Sequence, residues 1–105
     1  MGFYTPFIEA LQRGEAVSFR PSGNSMTPRI HSRDLVTLEP IIDHSTIEKG
    51  DAVLCKVNGN IYVHLVTARD GKPPNLRFQI SNNHGHVNGW TGQQHVYGKL
   101  VKVEK

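Results

Sequence analysis

Ala52-Val53-Leu54-Cys55-Lys56-Val57-Asn58-Gly59-Asn60-Ile61-Tyr62-Val63-His64-Leu65-Val66 is two apolar runs joined by one Asn-Gly step. Asn-Gly is the pair that most readily takes the two left-handed backbone conformations of a tight hairpin turn. Its flanks are rich in β-branched and aromatic residues. The stretch therefore predicts a strand over Ala52–Val57 that turns back into a strand over Ile61–Ala68. Alternation puts Ile61, Val63 and Leu65 on one face of the second strand and Tyr62, His64 and Val66 on the other.

Further strands are predicted outward from this hairpin. Val17 and Phe19 alternate with polar neighbours before a loop opens at Pro21. Leu35, Val36 and Leu38 form another strand closed by Pro40, Arg77–Ser81 a further one, and Val96–Val103 the last. Asp70-Gly71-Lys72-Pro73-Pro74 is a loop, and the glycines at 85, 89 and 92 predict an irregular stretch between Asn82 and Gln94. Before all of these, Thr5–Arg13 is predicted as a short helix with Thr5 as N-cap, Pro6 in the first turn and Gly14 as the stop. Phe7, Ile8 and Leu11 share one of its faces. The expected architecture is mainly β, with one short N-terminal helix, in a single domain over residues 1–105.

Composition narrows the function classes. The formal charge is +3, with basic residues scattered and no like-charge run, so a nucleic-acid stripe is not expected. No run of 18 apolar residues occurs, so no membrane span is expected. The N-terminus lacks a basic segment followed by an apolar one, so no secretory signal is expected either. A single cysteine, Cys55, excludes an internal disulfide; it sits in an apolar run and is expected to be a buried packing thiol in a cytoplasmic protein. A core of this size is modest, which is compatible with a homodimer.

Several polar residues bear on chemistry. Gly23-Asn24-Ser25-Met26-Thr27-Pro28 places a serine just beyond a strand, in a turn that glycine allows to bend tightly. Backbone N–H groups in such a turn can converge on one spot, as an oxyanion hole requires. Met26 can pack beside a cleft and Pro28 stiffens the exit. By composition alone, however, the stretch is only a loop, with a serine that is structural or merely exposed. His64, among aliphatic neighbours, is expected to be partly desolvated and neutral, the form that accepts a proton. Its plain alternative is a strand histidine satisfied by a backbone group. His84, His86 and His95 lack the paired spacing of a zinc site, so no metal and no other cofactor is expected. Asn83-His84 with Asn88 has a slight likeness to a His-Asn-His nuclease loop, but no helix follows. Trp90 is expected to plug the core.

Taken in order, these segments resemble the peptidase domain of signal peptidases and self-cleaving SOS (LexA-like) repressors. Gly23 to Pro28 is similar to that superfamily's nucleophile box. Arg33-Asp34-Leu35-Val36 and Lys49-Gly50-Asp51-Ala52-Val53 resemble its two Gly-Asp strand starts, and Tyr97-Gly98-Lys99-Leu100-Val101 its closing strand. The resemblance runs from Val17 to Val103. It implies a serine peptidase with Ser25 as nucleophile, His64 as base, and Gly23, Asn24, Met26 and Pro28 shaping the cleft and oxyanion site. Most members pair serine with lysine. The pairing of serine with histidine, here 39 positions apart, resembles the archaeal and endoplasmic-reticulum signal peptidases. A histidine near pKa 6.5 needs less help to be neutral than a lysine near about 10.4.

Two departures stand out. Asn82 and Asn83 occupy the region where those enzymes supply carboxylates, and either is expected as the orienter of the imidazole. Gly23 stands where signal peptidases often have a serine. The resemblance implies a protein or peptide substrate, cytosolic or phage-encoded, with no membrane anchor and with any DNA-binding half absent. A catalytically inactive peptide- or partner-binding module on the same fold is the alternative, and a nucleic-acid accessory role the weakest reading.

Overall fold

The computed structural model describes residues 2–105. Helix α1 (Thr5–Gln12) leads into seven strands: β1 (Val17–Phe19), β2 (Leu35–Pro40), β3 (Ala52–Val57), β4 (Asn60–Asp70), β5 (Arg77–Ser81), β6 (Val87–Gly92) and β7 (Val96–Glu104). They form one sheet in the order β1-β2-β7-β3-β4-β5-β6, antiparallel at every step. The fold is mainly β, as the alternation predicts. The Asn58-Gly59 hairpin forms, with both residues at positive φ and Val57 opposite Asn60.

Burial explains why β3 is so apolar. Ala52 and Leu54 enter a core shared with Leu11, Phe19, Met26, Ile30, Val36 and Leu38. Val53, Cys55 and Val57 point the opposite way, into a core with Ile47, Val66, Leu76, Phe78, Ile80 and Val96. A strand covered on both faces must read as a continuous hydrophobic run. Each fully buried aliphatic side chain contributes about 1.5–3 kcal/mol. The second core is wrapped by the far end of the sheet, where Thr91 on β6 donates through its hydroxyl to the Lys56 C=O of β3 at 2.7 Å.

Helix α1 covers the first core. Leu11 is buried against β7 at Gly98, where an added Cβ would lie 2.8 Å from a Leu11 methyl and 3.2 Å from the Glu39 carbonyl oxygen. The close approach explains the glycine.

Four local expectations are corrected. Thr5 is the first helical residue and not the cap: Tyr4 holds the N-cap position with no side-chain bond, and the Thr5 hydroxyl accepts from the Gly2 N–H. The helix ends at Gln12. Residues 82–94, expected to be irregular, contain β6 and a short 3-10 turn at Gln93–His95. Asparagine and glycine have weak strand preference, but pairing with β5 overrides it. Trp90 does not plug the core; it is exposed on β6 beneath the Arg77 guanidinium, 5.6 Å from the ring centre.

Candidate active site

The loop between β1 and β2 carries Ser25. Met26 and Ile30 are buried in the α1-side core and anchor it, and the Ile30 N–H donates to the Met26 C=O at 2.9 Å. Gly23 has φ of 108°, a conformation that excludes a Cβ without strain, and its N–H donates to the Ser32 hydroxyl. Between these anchors Ser25 stays exposed.

A second set of bonds ties the loop to the β5–β6 turn. The Asn83 N–H donates to the Ser25 C=O at 2.9 Å and its side-chain Nδ2 to the Thr27 C=O at 3.0 Å. His84 Nε2 reaches the Asn24 C=O at 2.9 Å and the Thr27 hydroxyl at 3.1 Å. Asn82 Oδ1 accepts from the His84 and His86 N–H groups and shapes the turn itself. Neither Asn82 nor Asn83 bonds the imidazole, contrary to expectation. Asn82 is held in the turn, and Asn83 is committed to the loop.

His64 sits on β4 opposite Val53 and is buried, 6% exposed. Its ring stacks on Tyr62 at 4.5 Å and 16°. Nε2 lies 3.0 Å from Ser25 Oγ, and Nδ1 lies 2.7 Å from Asn88 Oδ1 on β6. An amide oxygen only accepts, so Nδ1 carries the proton and Nε2 presents its lone pair to the serine hydroxyl. Burial holds the imidazole below its ordinary pKa; the Asn88 bond opposes that, and the positive field of His86 adds to it. The neutral base form prevails at neutral pH.

Ser25 and His64 face a cleft of about 230 Å³ lined also by Gly23, Met26, Ile30 and Tyr62. Asn24 and Pro28, expected at the cleft, are exposed outside its lining. What Asn24 supplies is its backbone carbonyl, which receives the Thr27 N–H, the Thr27 hydroxyl and His84. Among the described residues the Ser25 N–H has no acceptor, which leaves it available to a ligand oxygen. No group of three or more His, Cys, Asp or Glu side chains among the described residues is arranged to hold a metal. Cys55, on the first strand of the hairpin, is fully buried in the second core, and burial pushes its thiol up to about 12.

Asn88 is the residue that sequence reasoning missed. It lies in the stretch read as irregular, at the register shift of β6 against β5, where Gly89 is opposite Ile80, Val87 is opposite Ser81 and Asn88 has no partner on β5.

A family model described as Peptidase S24-like matches residues 4–94, a span that includes Ser25, His64 and Asn88. No curated protein and no solved structure matches the chain.

Proposed function

The chain belongs to the Peptidase S24-like family, and from that premise we propose that it is a serine peptidase acting by limited proteolysis on a protein or peptide, with Ser25 as nucleophile and His64 as general base. The observation that carries this reading is the line of contacts from Ser25 Oγ to His64 Nε2 at 3.0 Å and from His64 Nδ1 to Asn88 Oδ1 at 2.7 Å.

The chemistry follows from that line. Ser25 Oγ attacks the scissile carbonyl carbon while its proton passes to His64 Nε2. The oxyanion that forms is held by the free Ser25 N–H. The imidazolium then returns the proton to the leaving amine, and the acyl-enzyme is released by a water that His64 deprotonates in turn. Asn88 keeps the tautomer correct throughout. As a neutral amide it stabilises the imidazolium less than a carboxylate would.

The test is digestion of a peptide library by the wild type, Ser25→Ala and His64→Ala. Cleavage by the wild type that both substitutions abolish is the expected result. Labelling of Ser25 by a serine-directed phosphonate, absent in His64→Ala, reports the same pairing without a known substrate. If the intact protein neither cleaves nor labels, the reading is overturned.

One observation favours a second reading, a non-catalytic peptide-binding module. The pairing of β4 with β5 begins at Leu65 opposite Ser81, so over residues 61–64, which line the cleft, the side of β4 away from β3 has no strand partner. An extended peptide adds to such an edge through main-chain bonds. Tight binding that is equal in wild type and Ser25→Ala, with no turnover, selects this reading.

A further inference from the structure

Beside the cleft lies a second depression, lined by Phe3, Tyr4, Arg20, Ser22 and Arg33. Tyr4 and Ser22 line both, so the two adjoin. The Arg20 guanidinium donates through Nη1 to the Arg33 backbone C=O at 2.7 Å, which fixes the Arg20 side chain against the backbone at the root of the Ser25 loop, and both arginines line the depression. Among the described residues the ion pairs are Arg13 with Glu15, Lys99 with Asp51 and Lys102 with Glu104. No carboxylate pairs with Arg20 or Arg33. Asp34, the nearest acid in sequence, is buried and accepts from the His31 N–H.

We propose that Arg20 and Arg33 form a specificity pocket for an acidic side chain of the peptide bound in the cleft. Guanidinium groups match a carboxylate in both charge and donor geometry. Phe3, more than half exposed, offers an apolar wall for the methylenes of such a side chain. The proposal rests on the reading of the cleft as a peptide site. An acidic peptide fits better than nucleic acid, because two cations beside one small cleft do not make the extended basic surface that tracks a phosphate backbone.

The experiment uses the full chain carrying Ser25→Ala, so that binding is read without turnover. Its probes are arrayed decapeptides that differ only in Glu, Gln or Lys at each position in turn. At one or two positions the Glu peptide is expected to be held about fivefold more tightly than its Gln counterpart, the scale of partly exposed charge pairs, with the preference shrinking at high salt. Arg33→Glu in the same background is expected to abolish the preference, because the new carboxylate neutralises Arg20. That residue is the informative one, since its side chain makes no bond that supports the loop, and Arg33→Gln, which leaves Arg20 in place, is expected to weaken the preference without abolishing it. Equal retention of Glu and Gln peptides overturns the proposal. So does a preference that survives Arg33→Glu, or a single-stranded oligonucleotide held more tightly than any peptide. Acid preference without cleavage by the wild type leaves the pocket and removes catalysis; cleavage without acid preference does the opposite.

Discussion

At the scale of single residues, His64 carries opposing influences that can be separated by titration. The proposed mechanism requires its neutral form, so peptidase activity is expected above its folded pKa and is expected to be lost as pH falls through that value. Burial lowers the pKa, so the acid limb of kcat/KM against pH is expected below the ordinary histidine value of about 6.5. The Asn88 bond pushes the other way. Asn88→Ala should therefore move the limb further down and cost about tenfold to a hundredfold in kcat, part of what a positioned general base supplies. Asn88→Asp should move it up, because an anion favours the imidazolium. His86→Gln should also move it up, because a nearby positive charge is removed. A pH–rate series on the four proteins checks all three signs. Stability follows the same group. The unfolded chain takes up the proton first on acidification, so the contribution of His64 is full above about pH 6.5 and lost as pH falls toward the folded value. The denaturant midpoint of the wild type should drop more on acidification than that of His64→Gln.

At the scale of elements, the proposed catalytic geometry depends on a loop held from outside itself. Ser25 is positioned by two buried side chains, Met26 and Ile30, and by the Asn83 clamp from the β5–β6 turn. Asn83→Ala removes the bond to Thr27 and should cost only about 0.5–1.5 kcal/mol of stability. Its larger effect should fall on kcat, since a serine displaced by a fraction of an ångström loses its base. Faster hydrogen exchange confined to the Ser25 loop, with little change in Tm, is the expected signature. The seat of α1 is equally specific. Gly98→Val inserts atoms where Leu11 and the Glu39 carbonyl already stand, and overpacking of this kind costs about 1–3 kcal/mol. Thermal unfolding checks that loss, and a Leu11→Ala companion should relieve part of it.

At the scale of the whole molecule, two cores share one strand. Leu54 faces the α1 side and Phe78 the wrapped side, while β3 takes part in both. Neither core can melt without exposing β3, so unfolding is expected to be a single cooperative transition. Leu54→Ala and Phe78→Ala should lower stability by about 2–5 and 3–5 kcal/mol. In each variant the midpoints from Trp90 fluorescence and from circular dichroism should coincide. Separate midpoints would show that the cores melt independently.

What the chain alone determined was whatever depends on neighbours in sequence: the Asn58-Gly59 turn, the alternation along β4, the apolar run of β3, the short helix and the sharp loop around Ser25. Two departures came from the same limit. The stretch after Asn82 reads as irregular because asparagine and glycine carry little strand preference of their own, and β6 exists only because β5 offers it a partner. Asn88 therefore had no local mark, while Asn82 and Asn83, nearer the expected place, were spent on a turn and a clamp. Contacts between β4, β6 and the Ser25 loop join residues far apart in sequence. Only the folded sheet, by fixing register and curvature together, decides which amide meets the imidazole.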